Sequence, residues 1–265
     1  MMMLGINIGK NTSTIVLLKK NNSNHKLIDF KTVQSSNEIE NTLKIFKSIK
    51  INKVCILLSD YYIYSFLDDF ENIEESDIEK LIKFKHKDFV PFSINDINTG
   101  YQIINKKVID GINHYKVVSA LTDKNLVIQY ENILTSFKIK DWTTTSSTYP
   151  LLNLCKGKNF ILVNSDDEIT TMIFLNNGEI NYMRKFNNSS INGLTETINF
   201  YLRKYPKATI EHIYVTNEKY KEISGFNKLI KTIDMTKHIT IKSDLKISKK
   251  ELLNLTSVIG ATLCT

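Results

Sequence analysis

The stretch LGINIGKNTSTIVLLKK, Leu4 to Lys20, holds the residues whose types and spacing could do chemistry. Gly9, Lys10, Asn11 and Thr12 make a polar turn between two apolar runs, and Thr12, Ser13 and Thr14 add three hydroxyls. A strand, a glycine turn and a second strand can hold phosphate, because glycine lets backbone N–H groups approach phosphate oxygens closely. Asn7 stands where such loops usually place an aspartate that manages a magnesium ion. A neutral carboxamide is a poorer partner for a hard cation.

Other reactive residue types give weaker signals. The five histidines, His25, His86, His114, His212 and His238, share no ligand spacing, so packing or exposed roles are expected rather than a metal site. Cys55, Cys155 and Cys264 are isolated, odd in number and set in apolar surroundings, which reads as reduced, buried thiols in a cytoplasmic protein. Ser59-Asp60 follows an apolar run and reads as a polar strand end. Lys83, Lys85 and Lys87 read first as a solvated helix face, with a basic surface toward anionic lipid or an acidic partner as the functional alternative.

A 265-residue chain that is 42% hydrophobic and 24% charged can bury a sizeable core. It has no apolar run long enough for a transmembrane helix and no signal-like N-terminus. The formal charge of +7 is carried almost wholly by lysine, with Arg184 and Arg203 the only arginines. Base readout and tight phosphate clamping lean on arginine's planar fork, so a lysine surface is expected and a nucleic-acid partner is not.

The elements that would position the first turn occur twice. INIGKNTSTIVLL from Ile6 aligns with VNSDDEITTMIFL from Val163, placing Asn7 on Asn164, Gly9 on Asp166 and Thr14 on Thr171. Third strands follow at HKLIDFKTV and EINYMRKF, the latter after a tight turn at Asn177-Gly178. Helices follow at NEIENTLKIFKSIK, with Ile39, Leu43, Phe46 and Ile49 inward, and at SINGLTETINFYLRKY, with Ile191, Leu194, Ile198 and Tyr201 inward. The strands KVCILLS and IEHIYVT close each half, giving two β-β-β-α-β units and hence two lobes facing a cleft. Between them, roughly Ile73 to Trp142, lies an inserted helix-strand-strand-helix module. It opens with a Ser76/Glu79 capping box, turns at Asp110-Gly111, and ends in a helix with Leu126, Ile133, Leu134 and Phe137 as apolar positions. Trp142 is expected in the core where the chain returns to the first lobe. The expected domains are 1–72, completed by 143–156, then the module 73–142, then a second lobe 157–265.

This order resembles the actin-like (ribonuclease H-like) superfamily, and its PilM-like branch in type IV pilus assembly above all. DFVPFSINDINTGYQII, YKVVSALTDKNLVIQYENIL, NFILVNSDDEITTMIFLNNGEINYMRKF and LLNLTSVIGATL resemble consecutive PilM segments. The second lobe reaches its next strand after one helix, so the subdomain that PilM and FtsA carry there is expected to be missing, as in the cytoplasmic part of GspL. FtsA is disfavoured because no basic amphipathic tail follows.

The resemblance implies a nucleotide cleft at Asn7, Gly9, Lys10, Asn11, Thr12, Asn164, Asp166, Thr216 and Asn217, with ATP and magnesium as ligands. Here it reads as degenerate. Asn7 has lost the acid; Asp166, Asp167 and Glu168 place three carboxylates where polyphosphate would sit; Thr216-Asn217 replaces a Gly-Gly turn. Two like charges ~4 Å apart repel by roughly 4 kcal/mol at an effective dielectric of 20. The expectation is therefore a non-catalytic scaffold with no cofactor, nucleotide binding lost. It would be cytoplasmic and held at the inner membrane through partners. The resemblance implies that a PilN-like protein's N-terminal segment is received near Phe89, Pro91, Phe92 and Tyr101, alongside other platform components and a possible homodimer. The alternatives are a polymerising, ATP-binding actin-like protein, or a sugar- or acetate-type kinase, for which no catalytic aspartate is evident.

Overall fold

The computed structural model describes the chain except residues 22–23, 35, 47–48, 166–168, 188–190, 218–219, 221–222, 224 and 265, with backbone alone for 36, 37, 191 and 264. Three sheets form. In the first lobe β1 (Met2–Ile8), β2 (Ser13–Asn21), β3 (Asn24–Val33), β4 (Lys53–Leu58), β8 (Trp142–Ser146) and β14 (Ile239–Ile241) lie in the order β14-β3-β2-β1-β4-β8. In the second, β9 (Phe160–Ser165), β10 (Ile169–Asn176), β11 (Glu179–Asn187), β12 (His212–Val215) and β13 (Ile230–Thr232) lie in the order β11-β10-β9-β12-β13. Apart from β14, the two orders match strand for strand. The third sheet, β5-β7-β6, is made of β5 (Tyr64–Glu71), β6 (Ile97–Ile109) and β7 (Ile112–Asp123).

Period-two alternation decides which side chains face the cleft. Along β1, Leu4, Ile6 and Ile8 join the cluster under the helices α1 (Ser36–Phe46) and α3 (Lys124–Ser136). Met3 joins the core shared by the two lobes, so Gly5 and Asn7 face that side too. Along β9, Ile161 and Val163 pack under α4 (Ile191–Lys204), while Phe160 and Leu162 enter the shared core and carry Asn164 to the same face. Between the sheets runs α6 (Thr256–Cys264), preceded by α5 (Lys249–Asn254). A Cβ at Gly5 would lie 2.1 Å from Thr262 Oγ1 and 2.9 Å from Val258 Cγ2, so this glycine lets the helix lie against β1.

Several local expectations shift. The first lobe's helix is described over Ser36–Phe46, and Ile49 and Lys50 lie outside it. The Ser76/Glu79 capping box does not form: a 3-10 turn, Glu75–Asp77, leads into α2 (Ile78–His86), and Glu79 instead pairs with Lys83 at 2.8 Å. A capping box does form at Ser248 and Glu251, at the start of α5. β5, on the first-lobe side of residue 73, is an outer strand of the inserted sheet. α3 packs Tyr130 and Leu134 into the first lobe's outer cluster, where half-buried Trp142 also lies. Both two-residue turns are made as read: φ is 52° and 79° at Asp110-Gly111, and 55° and 83° at Asn177-Gly178. Only residues 205–211 separate α4 from β12, so no further subdomain stands there.

Candidate functional site

The ends of β1 and β9 open on a cavity of about 350 Å³ between the lobes. Asn7, Thr12, Asn164, Thr216 and Asn217 line it, together with Thr14, Thr32 and Ser257. Gly9, Lys10 and Asn11 belong to the turn between β1 and β2 but do not line it, and Lys10 Nζ sits 4.6 Å from the Tyr61 ring centroid. Asp166, with Asp167 and Glu168, falls outside the described residues, so their repulsion remains an expectation from sequence.

The described lining is of carboxamides and hydroxyls with one leucine, and includes no carboxylate, lysine or arginine. Magnesium is usually held through one or two carboxylates plus substrate phosphates, and phosphates are usually held by cationic side chains as well as backbone N–H groups. The described donor set therefore does not fit a magnesium nucleotide. Among the described residues, the buried Oδ1 of Asn7 has no hydrogen-bond partner.

Asn164 is occupied at both ends. Its Nδ2 donates to Thr148 Oγ1 at 2.7 Å, and its Oδ1 accepts from Thr216 Oγ1 at 2.8 Å and Ser257 Oγ at 3.4 Å. Thr216 Oγ1 also accepts the Ser165 N–H at 3.1 Å, which directs its own proton to Asn164. Thr148 in turn donates to the carboxylate of Asp60. Asp60, Thr148, Asn164 and Thr216 are all buried, so the chain of bonds crosses between the lobes away from water. In such a setting each bond holds its neighbours in place.

A second set of bridges runs along β11. A bulge between Ile180 and Tyr182 interrupts the alternation, and Glu179, Asn181, Met183 and Lys185 each meet a residue of the module or the first lobe. Asn105 Nδ2 donates to Glu179 Oε1 at 2.7 Å, Lys116 Nζ to Asn181 Oδ1 at 3.0 Å, and Tyr149 Oη to Met183 Sδ at 3.1 Å. Lys185 Nζ donates to the backbone carbonyls of Asp60, at 2.6 Å, and of Ile63.

Lys185 also borders a groove of about 640 Å³ between the inserted module and both lobes. Phe89, Pro91 and Phe92 line it with Tyr61, Tyr64 and Phe66. The rings meet in pairs: Tyr61–Tyr62 at 5.1 Å, Tyr64–Phe92 at 5.8 Å and Phe66–Phe89 at 6.3 Å between centroids. Phe92 packs partly into the module's own core, whereas Phe89 is 68% exposed. Tyr101 is not with them; it lines a separate cavity of about 370 Å³ between β6 and β8.

The lysine run is largely engaged within the fold. Lys83 meets Glu79, Lys85 meets Asp68 at 2.7 Å, and Lys87 lies over the Phe84 ring. Asp68 is buried and also bonds His86 Nε2 at 2.7 Å, while the imidazole stacks on Phe66 at 3.6 Å. His86 is thus a packed histidine fastening α2 to β5. Among the described residues no cluster of histidine, cysteine, aspartate and glutamate suits a metal ion, and no helix is long and apolar enough to cross a membrane.

Sequence reasoning missed Thr148, Ser257 and Lys185. The hydroxyl run Ser146-Ser147-Thr148 at the end of β8 and the polar pair Ser59-Asp60 after β4 were the available signals. Lys185 had none beyond its place in an alternating strand.

No family model matches the chain, and no curated protein matches it. Solved structures do. The chain is similar to one from a PilM-PilN type IV pilus biogenesis complex, at 12% identity and TM-score 0.69, over 99% of this chain and 98% of that one. It is similar to the cytoplasmic domain of EpsL, an inner membrane component of the type II secretion system of Vibrio cholerae, at 8% identity and TM-score 0.60, over 100% and 98%. A Bacteroides thetaiotaomicron protein with an actin-like ATPase fold is similar at 12% identity and TM-score 0.58, over 100% and 96%. The chain therefore has an actin-like fold in the form shared by these pilus and secretion components.

Proposed function

We propose that this chain is a non-catalytic scaffold of a type IV pilus or type II secretion-like machine, working in the cytoplasm beneath the inner membrane. It receives the cytoplasmic N-terminal segment of a PilN-like membrane protein and has lost nucleotide binding. The observation that carries the reading is the groove at Phe89, Pro91 and Phe92, on a chain whose fold matches a PilM-PilN component nearly end to end. An exposed phenylalanine bordering a ring-lined groove favours an apolar, extended guest. The described cleft lining, which holds no carboxylate, lysine or arginine, supports the loss of nucleotide.

A labelled peptide of the PilN-like partner's N-terminal segment is expected to bind with micromolar affinity by fluorescence anisotropy, about −8 kcal/mol. Phe89→Ala should weaken it about tenfold, as loss of a central aromatic anchor does, and Tyr101→Ala less than about twofold. No binding by the unaltered protein sinks the reading. Calorimetry with Mg-ATP should give no heat; saturation with a Kd below about 100 µM would restore the nucleotide-binding alternative.

A further inference from the structure

Residues 225–250 carry seven lysines and two aspartates, five of the chain's seven net positive charges in a tenth of its length. Six of those lysines are exposed and Lys242 is half-buried. The segment contains β13 and β14, the outermost strands of the two lobe sheets. Six residues join them, and Thr232, Ile241 and Lys249 border one cavity of about 480 Å³, so both sheet margins share one flank. β14 pairs with β3, placing Thr240 opposite Lys26, and the positive charges of Lys242 and Lys26 help hold the Asp244 carboxyl below its ordinary range after its local hydrogen bonds. Asp234 bonds Thr236 and lies near Lys237 and Lys249. Both acids of the segment are thus already neighboured by its own lysines.

The inserted module stands on the other flank, beside β8 and β11. Across the six-stranded sheet, five inter-strand spacings separate β14 from β8, roughly 24 Å. We propose that the β13–β14 flank docks an acidic, extended segment of a second protein partner, its carboxylates meeting the lysines and its main chain meeting the margin of β14. Charge complementarity carries the choice of an acidic guest. Lysines also keep sheet edges from pairing at random, but a few inward or flanking charges suffice for that. A protein rather than a lipid surface is preferred because this flank faces away from the groove; that clause rests on the groove's receiving a membrane-tethered segment. With only two arginines in the chain, nucleic acid is disfavoured.

The test uses the full chain and a fluorescein-labelled peptide of about twelve residues alternating glutamate and valine, the period that puts every carboxylate on one side of a strand. The variant Lys228→Gln, Lys246→Gln, Lys249→Gln, Lys250→Gln should lose about tenfold or more in affinity. A control replacing Lys80, Lys107, Lys124 and Lys140 on the module should change it less than about twofold. Unchanged melting by circular dichroism shows that the variant folds. No peptide binding, or equal loss in the control, overturns the proposal. So does flank-dependent binding of phosphatidylglycerol vesicles or duplex DNA in place of the peptide. The PilN-like peptide should bind the flank variant normally, so failure here and failure of the groove reading give different results.

Discussion

In the first hairpin Asn7 lies opposite Thr14, and Thr14 opposite Thr32; in the second Asn164 lies opposite Thr171, and Thr171 opposite Lys185. Both asparagines are the last residue but one of an inner strand, β1 or β9, and face the other lobe. The strand pairing is alike in each, with Ile6 of β1 opposite Ile56 of parallel β4 and Val163 of β9 opposite Val215 of parallel β12. The side chains differ. Asn7 Oδ1 is buried without a partner among the described residues and Thr32 borders the cavity, whereas Asn164 and Lys185 bind across to the first lobe. A repeated backbone has thus been given two jobs. The first hairpin meets the cleft through Asn7, Thr12 and Thr14, whereas Asn164 of its twin borders the same cleft and also fastens the lobes together.

The largest effect should come from breaking that difference at its centre. Asn164→Leu removes the donor to Thr148 and the acceptor of Thr216 and Ser257, all within a buried network. Stranding buried polar groups costs about 1–3 kcal/mol each, partly relieved by rotation, so a loss of about 3 kcal/mol is expected. Thermal unfolding should shift down by roughly 6–12 °C at this chain length. Asn7 Oδ1 has no partner to lose among the described residues, so Asn7→Leu should leave stability within about 0.5 kcal/mol or raise it. Equal losses from the two variants would mean that the hairpins are not specialised.

The asymmetry was only partly legible in the sequence. The Asn7/Asn164 echo located the repeat, and Ser59-Asp60 read as a polar strand end. Neither could show which asparagine is bonded, because Thr148 and Ser257 approach from residues 16 and 93 positions away. The same limit hid the Asp68–His86 pair and the role of Lys185. Tyr101 was grouped with Phe89 by the resemblance, which carries residue positions and not their burial. A 13-residue strand carries Tyr101 to a different cavity from the one that Phe89 lines. The capping box was misplaced for a local reason: Glu79 found Lys83 one turn on, and the chain entered α2 through a 3-10 turn.

Lys185 offers the next, smaller break. Lys185→Met keeps much of the aliphatic stem and removes the ammonium that binds the carbonyls of Asp60 and Ile63. Hydrogen bonds to a charged group contribute about 1.5–3 kcal/mol, so a loss of about 2 kcal/mol is expected in urea unfolding. Thr32→Val, at the matching place in the first hairpin, should cost less than about 0.5 kcal/mol. If the two substitutions cost the same, Lys185 is not a clamp. If Lys185→Met also weakens the groove peptide, the clamp shapes the groove that it borders.

The smallest effect concerns the joint between the halves, where Tyr149 and Cys155 sit. Burial pushes the Cys155 thiol up to about 12 from its ordinary 9.0, and burial also raises the Tyr149 phenol. Below pH 9 the thiol is neutral whether the chain is folded or unfolded, so its burial makes no pH-dependent difference. Above pH 9 the unfolded chain ionises first, so stability falls as the pH rises toward 12. At pH 8 iodoacetamide should modify Cys155 roughly a thousandfold more slowly than free cysteine, read from the mass of its tryptic peptide, because the thiolate is the reacting form. In Asn164→Leu the same peptide should react faster if the network holds the joint shut. An unchanged rate there would show that the joint is closed by its apolar packing and that the asparagine acts only between the lobes.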